Sequence, residues 1–136
     1  MIERLIVLVL FSAAGLLAYR GVRRWQIARL GTRPTQPLLS ALKPGVPAIV
    51  YFTSPDCGPC RAYQRPAIER VQHDLGDCVQ VIEVDALAEP DAAARWGVMT
   101  VPTTFILDRL GHPREVNNGV AGPDKLKQQL QAAASG

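Results

Sequence analysis

From Leu5 to Tyr19 the chain carries no charge, and its apolar residues show none of the three-to-four-residue spacing of polar positions that marks a helix on a soluble surface. A helix that crosses a bilayer needs about 20 residues. The run reaches that length if Ile2 joins it and Glu3, Arg4 and Arg20 extend their charged ends toward the headgroups. Arg20, Arg23 and Arg24 with Trp25 then form an interfacial stop. A cleaved signal peptide is the competing reading, with a buried soluble helix third. Against cleavage, Arg4 is offset by Glu3, and no clean small-x-small cleavage site stands between the apolar run and the arginine cluster. Pro34, Pro37, Pro44 and Pro47, with Gly45, predict a semi-rigid extended tether, and Leu38, Leu39 and Leu42 a short helix against the domain edge. The chain thus divides into an anchor with its basic flank (1–25), a Pro-rich linker leading into the domain (26–47), and a globular domain (48–136).

In the globular part the pattern changes period. Ala48–Phe52 is a continuous apolar run between Pro47 and Ser54-Pro55, as a strand buried on both faces requires. A helix is predicted from Cys57 to Leu75, with Tyr63, Ala67, Ile68, Val71 and Leu75 on its apolar face and Gly76-Asp77 closing it. Val79, Val81, Ile82 and Val84 predict a second strand, ended by Asp85. An Ala-rich helix from Glu89 to Trp96 is stopped by Gly97. Strands follow at Thr103–Leu107 and Arg114–Asn118 around a turn at Asp108–His112, and Pro123 opens a last helix through Leu126 and Leu130. The order βαβα then ββα describes an α/β domain, a mixed central sheet flanked by helices.

Charge first suggests a nucleic-acid binder, since the chain is +3 overall. The excess is local: residues 1–33 hold six Arg and one Glu, and the remainder holds nine Lys or Arg against eleven Asp or Glu. A slightly acidic domain lacks the basic footprint that phosphate binding requires, so no nucleic-acid partner is expected. The arginines after the apolar run also outnumber those before it, which predicts a cytoplasm-facing domain; an extracytoplasmic domain is the alternative.

Three cysteines are too few for a secreted disulfide scaffold. Two of them, Cys57 and Cys60, are separated only by Gly58 and Pro59 at a predicted strand-to-helix junction. Free backbone N–H groups and the helix dipole favour a thiolate there. A thiolate attacks disulfides through a mixed disulfide, and a second thiol one turn later resolves it. Gly58 permits close approach and Pro59 fixes the backbone. Metal binding is the competing reading, but His73 and His112 fit no ligand spacing, so no metal is expected. Cys78, entering a strand, reads as a small buried hydrophobe. Trp96 and Tyr63 read as core or edge packing, and Arg61 as solvated.

Cys57-Gly58-Pro59-Cys60 after a buried strand, Val101-Pro102-Thr103 leading into a later one, and Gly119 before the last helix together resemble the thioredoxin family over roughly residues 38–133. The resemblance implies a thioredoxin fold, a cis Pro102 beside the cysteines, and a groove for an extended substrate peptide at Val101 and Pro102. It implies a thiol–disulfide oxidoreductase that needs no bound cofactor, acts on disulfide-containing proteins and draws electrons from a partner reductase. Several positions depart from the family pattern. Asp56 replaces the usual Trp, able to cap the helix but placing negative charge beside Cys57. Tyr51 replaces a buried Asp, Val81 replaces its companion Lys, and Pro66 falls one residue late after the second cysteine. These departures keep a second reading open, a membrane-tethered adaptor on the same fold with weak or no catalysis.

Overall fold

A computed structural model describes residues 1–31 and 37–135, with the side chains of 29–31 and 37 left aside; Arg33 and Pro34 of the expected flank and tether lie outside the described residues. Helix α1 spans Ile2–Gly31 and the short α2 spans Pro37–Ser40. Strands β1 (Ala48–Thr53), β2 (Gln80–Asp85), β3 (Thr103–Leu107) and β4 (Pro113–Asn118) alternate with α3 (Arg65–Leu75) and α4 (Pro90–Arg95), and α5 (Pro123–Ser135) closes the chain. The sheet order is β2-β1-β3-β4, with β1 parallel to β2 and antiparallel to β3, and β3 antiparallel to β4.

Strand β1 is buried along its whole length because its alternate side chains feed two cores. Ile49 and Tyr51 pack with Ile106, Ile68 and Val71, and with Leu126 and Leu130 of α5. Ala48, Val50 and Phe52 pack on the other face with Phe105, Leu107 and Trp96. There the Trp96 and Phe105 rings stand edge to face at 4.9 Å, and Phe52 closes the triangle at 5.8 and 5.9 Å. Such pairs add about 0.5–1.5 kcal/mol each to the burial of the rings. Leu38, Leu39 and Leu42 lie against this second core, where the apolar spacing of the lead-in predicts them.

Three expectations need correction. The segment after the cysteines is not a plain α-helix: Cys60–Gln64 forms a π-helical turn before α3. In it the Arg65 N–H reaches five residues back to the Cys60 carbonyl. Pro66 supplies no N–H to the carbonyl four residues before it, and the extra residue ahead of it is absorbed as the wider turn. That turn rotates Tyr63 off the apolar face to 66% exposure and brings Gln64 inward. Cys78 is exposed, not buried. Gly76, at φ 53°, ends α3 and the chain makes a 3₁₀ turn through Cys78, so Val79 takes the inward position and β2 starts at Gln80. Finally, α1 runs on through 26–31, where a tether was expected, and Gln26 is buried against the domain.

Candidate active site

β1 delivers the chain to the site. After Thr53 a tight turn brings the Cys57 N–H to the Ser54 carbonyl (3.2 Å), and helical backbone begins at Gly58. The Cys57 sulfur accepts the Cys60 N–H at 3.2 Å. This is the bond an N-cap side chain makes to the residue three places on, so the sulfur itself occupies the cap. Asp56, offered by the sequence as that cap, lies exposed in the turn. A negative charge on Cys57 would therefore sit on the Cys60 N–H at the positive end of a helix, the arrangement that stabilises a thiolate.

Cys57 and Cys60 are joined by a disulfide, their Cα atoms 5.2 Å apart. Their burial is unequal: Cys57 retains 8% exposure and Cys60 1%. Cys57 is thus the outer member of the pair. The Val101–Pro102 bond is cis. Thr103, next in the chain, pairs with Phe52 at the end of β1, so Pro102 stands at the same end of the sheet as the cysteine loop. Val101 packs against the core that holds both cysteines. Beside it opens a cleft of about 260 Å³ lined by Ser54, Leu87, Met99, Thr100 and Val101, with Leu87 and Met99 exposed. Gly58, Pro59, Val101 and Pro102 are thus brought to one end of the sheet with the two cysteines. Among the described residues no group of His, Cys, Asp and Glu is placed to hold a metal ion.

Behind the pair lie residues that sequence reasoning missed. Gln64 is fully buried; its Nε2–H donates to the Ala121 carbonyl (3.1 Å), and its Oε1 accepts the Ala121 N–H (2.8 Å). Two residues before Ala121, the Gly119 N–H donates to the Pro102 carbonyl (2.8 Å). The redox helix is therefore tied through this loop to the cis-proline. The late Pro66 was the visible trace of this arrangement, since it marks the extra residue that seats Gln64. Tyr51, in place of the family's Asp, is buried under the pair, and its hydroxyl donates to the Cys60 carbonyl at 3.4 Å. Burial pushes its pKa above 10.0, outweighing a lowering hydrogen bond with Thr53. Tyr51 and Val81 border a cavity of about 220 Å³ whose rim carries the Arg65–Glu83 ion pair (2.8 Å). A charged pair is present beside Tyr51, but at the half-exposed mouth rather than in the core.

A mixed βαβ–ββα sheet with a dithiol capping its first domain helix, and a cis-proline at the same sheet end, defines a dithiol-bearing domain of thioredoxin fold. The thioredoxin family model matches residues 39–132, and the chain belongs to that family. It is 33% identical over 87 residues to the chloroplastic thioredoxin Y of Oryza sativa, covering 64% of this chain and 51% of the rice protein. To a thioredoxin-like protein of Synechocystis it is 33% identical over 85 residues, covering 62% and 79% respectively. The chain thus spans about half the length of the rice relative. The crystal structure of chloroplastic thioredoxin z superposes with a TM-score of 0.63 at 22% identity, over 73% of this chain and 85% of that one, a likeness of fold.

Proposed function

We propose that this chain is a membrane-tethered thiol–disulfide oxidoreductase acting on protein disulfides. The observation that carries the chemistry is the Cys57 sulfur at the helix cap, bonded to Cys60 and accepting its N–H. In the reduced protein the Cys57 thiolate attacks one sulfur of a substrate disulfide. A Cys57–substrate disulfide forms and the other substrate sulfur leaves as a thiolate, which takes up a proton. Cys60 then gives up its proton and attacks the Cys57 sulfur, closing the Cys57–Cys60 bond and releasing the second substrate thiol. Two electrons and two protons pass to the substrate, and a dithiol of a partner reductase returns them. The cleft by Val101 offers an extended peptide an apolar wall from Leu87 and Met99. Neither a metal nor a bound cofactor enters these steps.

Tethering is supported by α1: Ile2–Ala28 is long and apolar enough to cross a bilayer, and none of its most apolar stretch is buried in the protein. A signal sequence meets the same test; the start, where Glu3 offsets Arg4 and no basic cluster precedes the apolar run, favours the anchor. The arginines from Arg20 onward favour a cytoplasm-facing domain. Reduction of a test protein disulfide by the full chain in detergent, with dithiothreitol as electron source, tests the chemistry. Turnover is expected from the native chain and loss of turnover from Cys57→Ser. Equal turnover in both would sink it in favour of the adaptor. Alkaline extraction of membranes tests the tether: an anchored chain stays with the lipid.

A further inference from the structure

Helix α1 leaves the domain in a defined direction. Its later turns lie along β4: Arg23 pairs with Glu115, and Gln26, 4% exposed, donates to the Gly97 carbonyl (3.2 Å) and accepts from Asn118 Nδ2 (3.4 Å). Ile27 packs against the aromatic core. Glu115 faces Ile106 across the sheet, and Asn118 faces Thr103, which faces Phe52 beside the cysteine loop. From Arg23 to Gln26 the helix therefore climbs toward the redox end. Followed backward it descends past the Asp108–His112 turn, and its residues 2–22 are exposed to the surroundings. At 1.5 Å per residue that stretch is about 30 Å long, the thickness of a bilayer's hydrocarbon core.

The pole it descends past has its own chemistry. Leu110, at the tip of the β3–β4 turn, is 79% exposed and stands between exposed Arg109 and His112. The turn is held rigid by Asp108, whose buried carboxylate accepts the N–H groups of Leu110 and His112 (both 2.9 Å) and the Arg114 Nε–H (2.8 Å). The Arg109 carbonyl accepts the Gly45 N–H (3.1 Å), which sets exposed Lys43 at the same pole. An aliphatic tip ringed by cations suits a headgroup layer that is anionic at its surface and apolar just beneath. The redox pole carries exposed Asp56, Glu89 and Asp91 beside Arg61 and Arg95, so it offers such a surface no cationic excess.

We infer that the Arg109–Leu110 turn, with Lys43 and Arg114, is a lipid-contact surface seated on anionic headgroups beside α1. The Cys57–Cys60 pair is carried on the opposite pole, about 20 Å away by the rise of the six-residue β1, and meets disulfides of water-exposed protein segments. This rests on α1 being a membrane anchor.

The full chain with Cys57→Ser, Cys60→Ser and Cys78→Ser, carrying one new cysteine at Phe11→Cys, Leu110→Cys or Leu87→Cys, is labelled with a fluorophore. It is then reconstituted in phosphatidylcholine–phosphatidylglycerol vesicles containing quencher-bearing lipid. Labels at 11 and 110 are expected to lose most of their fluorescence and the label at 87 to keep it. Quenching at 87 equal to that at 110, or quenching at 11 alone, overturns the contact surface while leaving the anchor intact. Quenching at none of the three removes the anchor and this inference with it. Cross-linking of two chains through position 110, without quenching there, assigns the face to a second copy and overturns the lipid assignment. The native chain gives a second reading with its disulfide intact. Tryptic cleavage at Arg109 is expected to fall in anionic vesicles relative to neutral ones, and equal cleavage in both counts against the inference.

Discussion

Replacing Gln64 by alanine removes both partners of the Ala121 peptide groups at once. The Ala121 N–H and carbonyl then remain in a site from which Gln64 had excluded water, since Gln64 is fully buried and Ala121 is 1% exposed. A buried backbone group left without a partner costs about 1–3 kcal/mol, and partial relaxation of the 119–122 loop brings the pair to about 3 kcal/mol. That is a large share of a domain stability of about 5–15 kcal/mol. Arg65→Ala is the neighbouring control, because it breaks only a half-exposed ion pair, worth about 0–1 kcal/mol. Urea unfolding of the oxidised full chain in detergent, followed by tryptophan fluorescence, measures both. A loss for Gln64→Ala no greater than that for Arg65→Ala would refute the reasoning. Gln64→Glu adds a chemical check: at neutral pH its carboxylate faces the Ala121 carbonyl and destabilises, and protonation at low pH returns part of the loss.

Two further predictions concern pH. For Asp108, burial is the largest influence and raises the pKa, but hydrogen bonds from His112, Arg114 and Leu110 together outweigh it and hold the carboxyl below 3.8. A depressed carboxyl contributes stability that is fully present above its unfolded value and lost as pH falls through the folded one. Asp108→Asn should therefore cost about 2 kcal/mol near neutrality, and its gap from the native chain should close in strong acid when unfolding is followed across pH. Tyr51 has the opposite sign: its pKa is raised, so its stability is present below 10.0 and lost as pH rises through the folded value. Tyr51→Phe should unfold at nearly the native urea midpoint at neutral pH, within about 1 kcal/mol, and should lack the alkaline loss. In the aromatic core, Phe105→Ala should cost about 3–5 kcal/mol by the same unfolding measurement, as it empties the centre of the Trp96–Phe52 triangle.

The strands and outer helices were legible because their signals are local. The apolar run at β1, Pro123 opening α5 and Gly97 closing α4 each declare themselves within a few residues, and the observed bounds differ from the expected ones by a residue or two. The cysteine pair was legible from its two-residue spacing, and Pro102 only through its match to the thioredoxin pattern. What was not legible depends on distant partners. Gln64 reads as an ordinary polar helix position until the 119–122 loop is folded against it. The inward turn at Val79 depends on where α3 ends, and the outward turn of Cys78 follows from it. Gln26 looks like part of a polar exit from the apolar run until Gly97 and Asn118, each more than seventy residues away, supply its partners.

The most direct measurement is capture of the reaction intermediate. The full chain carrying Cys60→Ser retains the outer thiol and lacks the resolving one, so a disulfide-containing protein that it attacks remains bound through Cys57. Non-reducing electrophoresis with mass spectrometry should find a Cys57–substrate disulfide that dithiothreitol releases and that the Cys57→Ser, Cys60→Ser double variant does not form. Equal adduct in both, formed through exposed Cys78 alone, would contradict the assignment of Cys57 as the attacking sulfur.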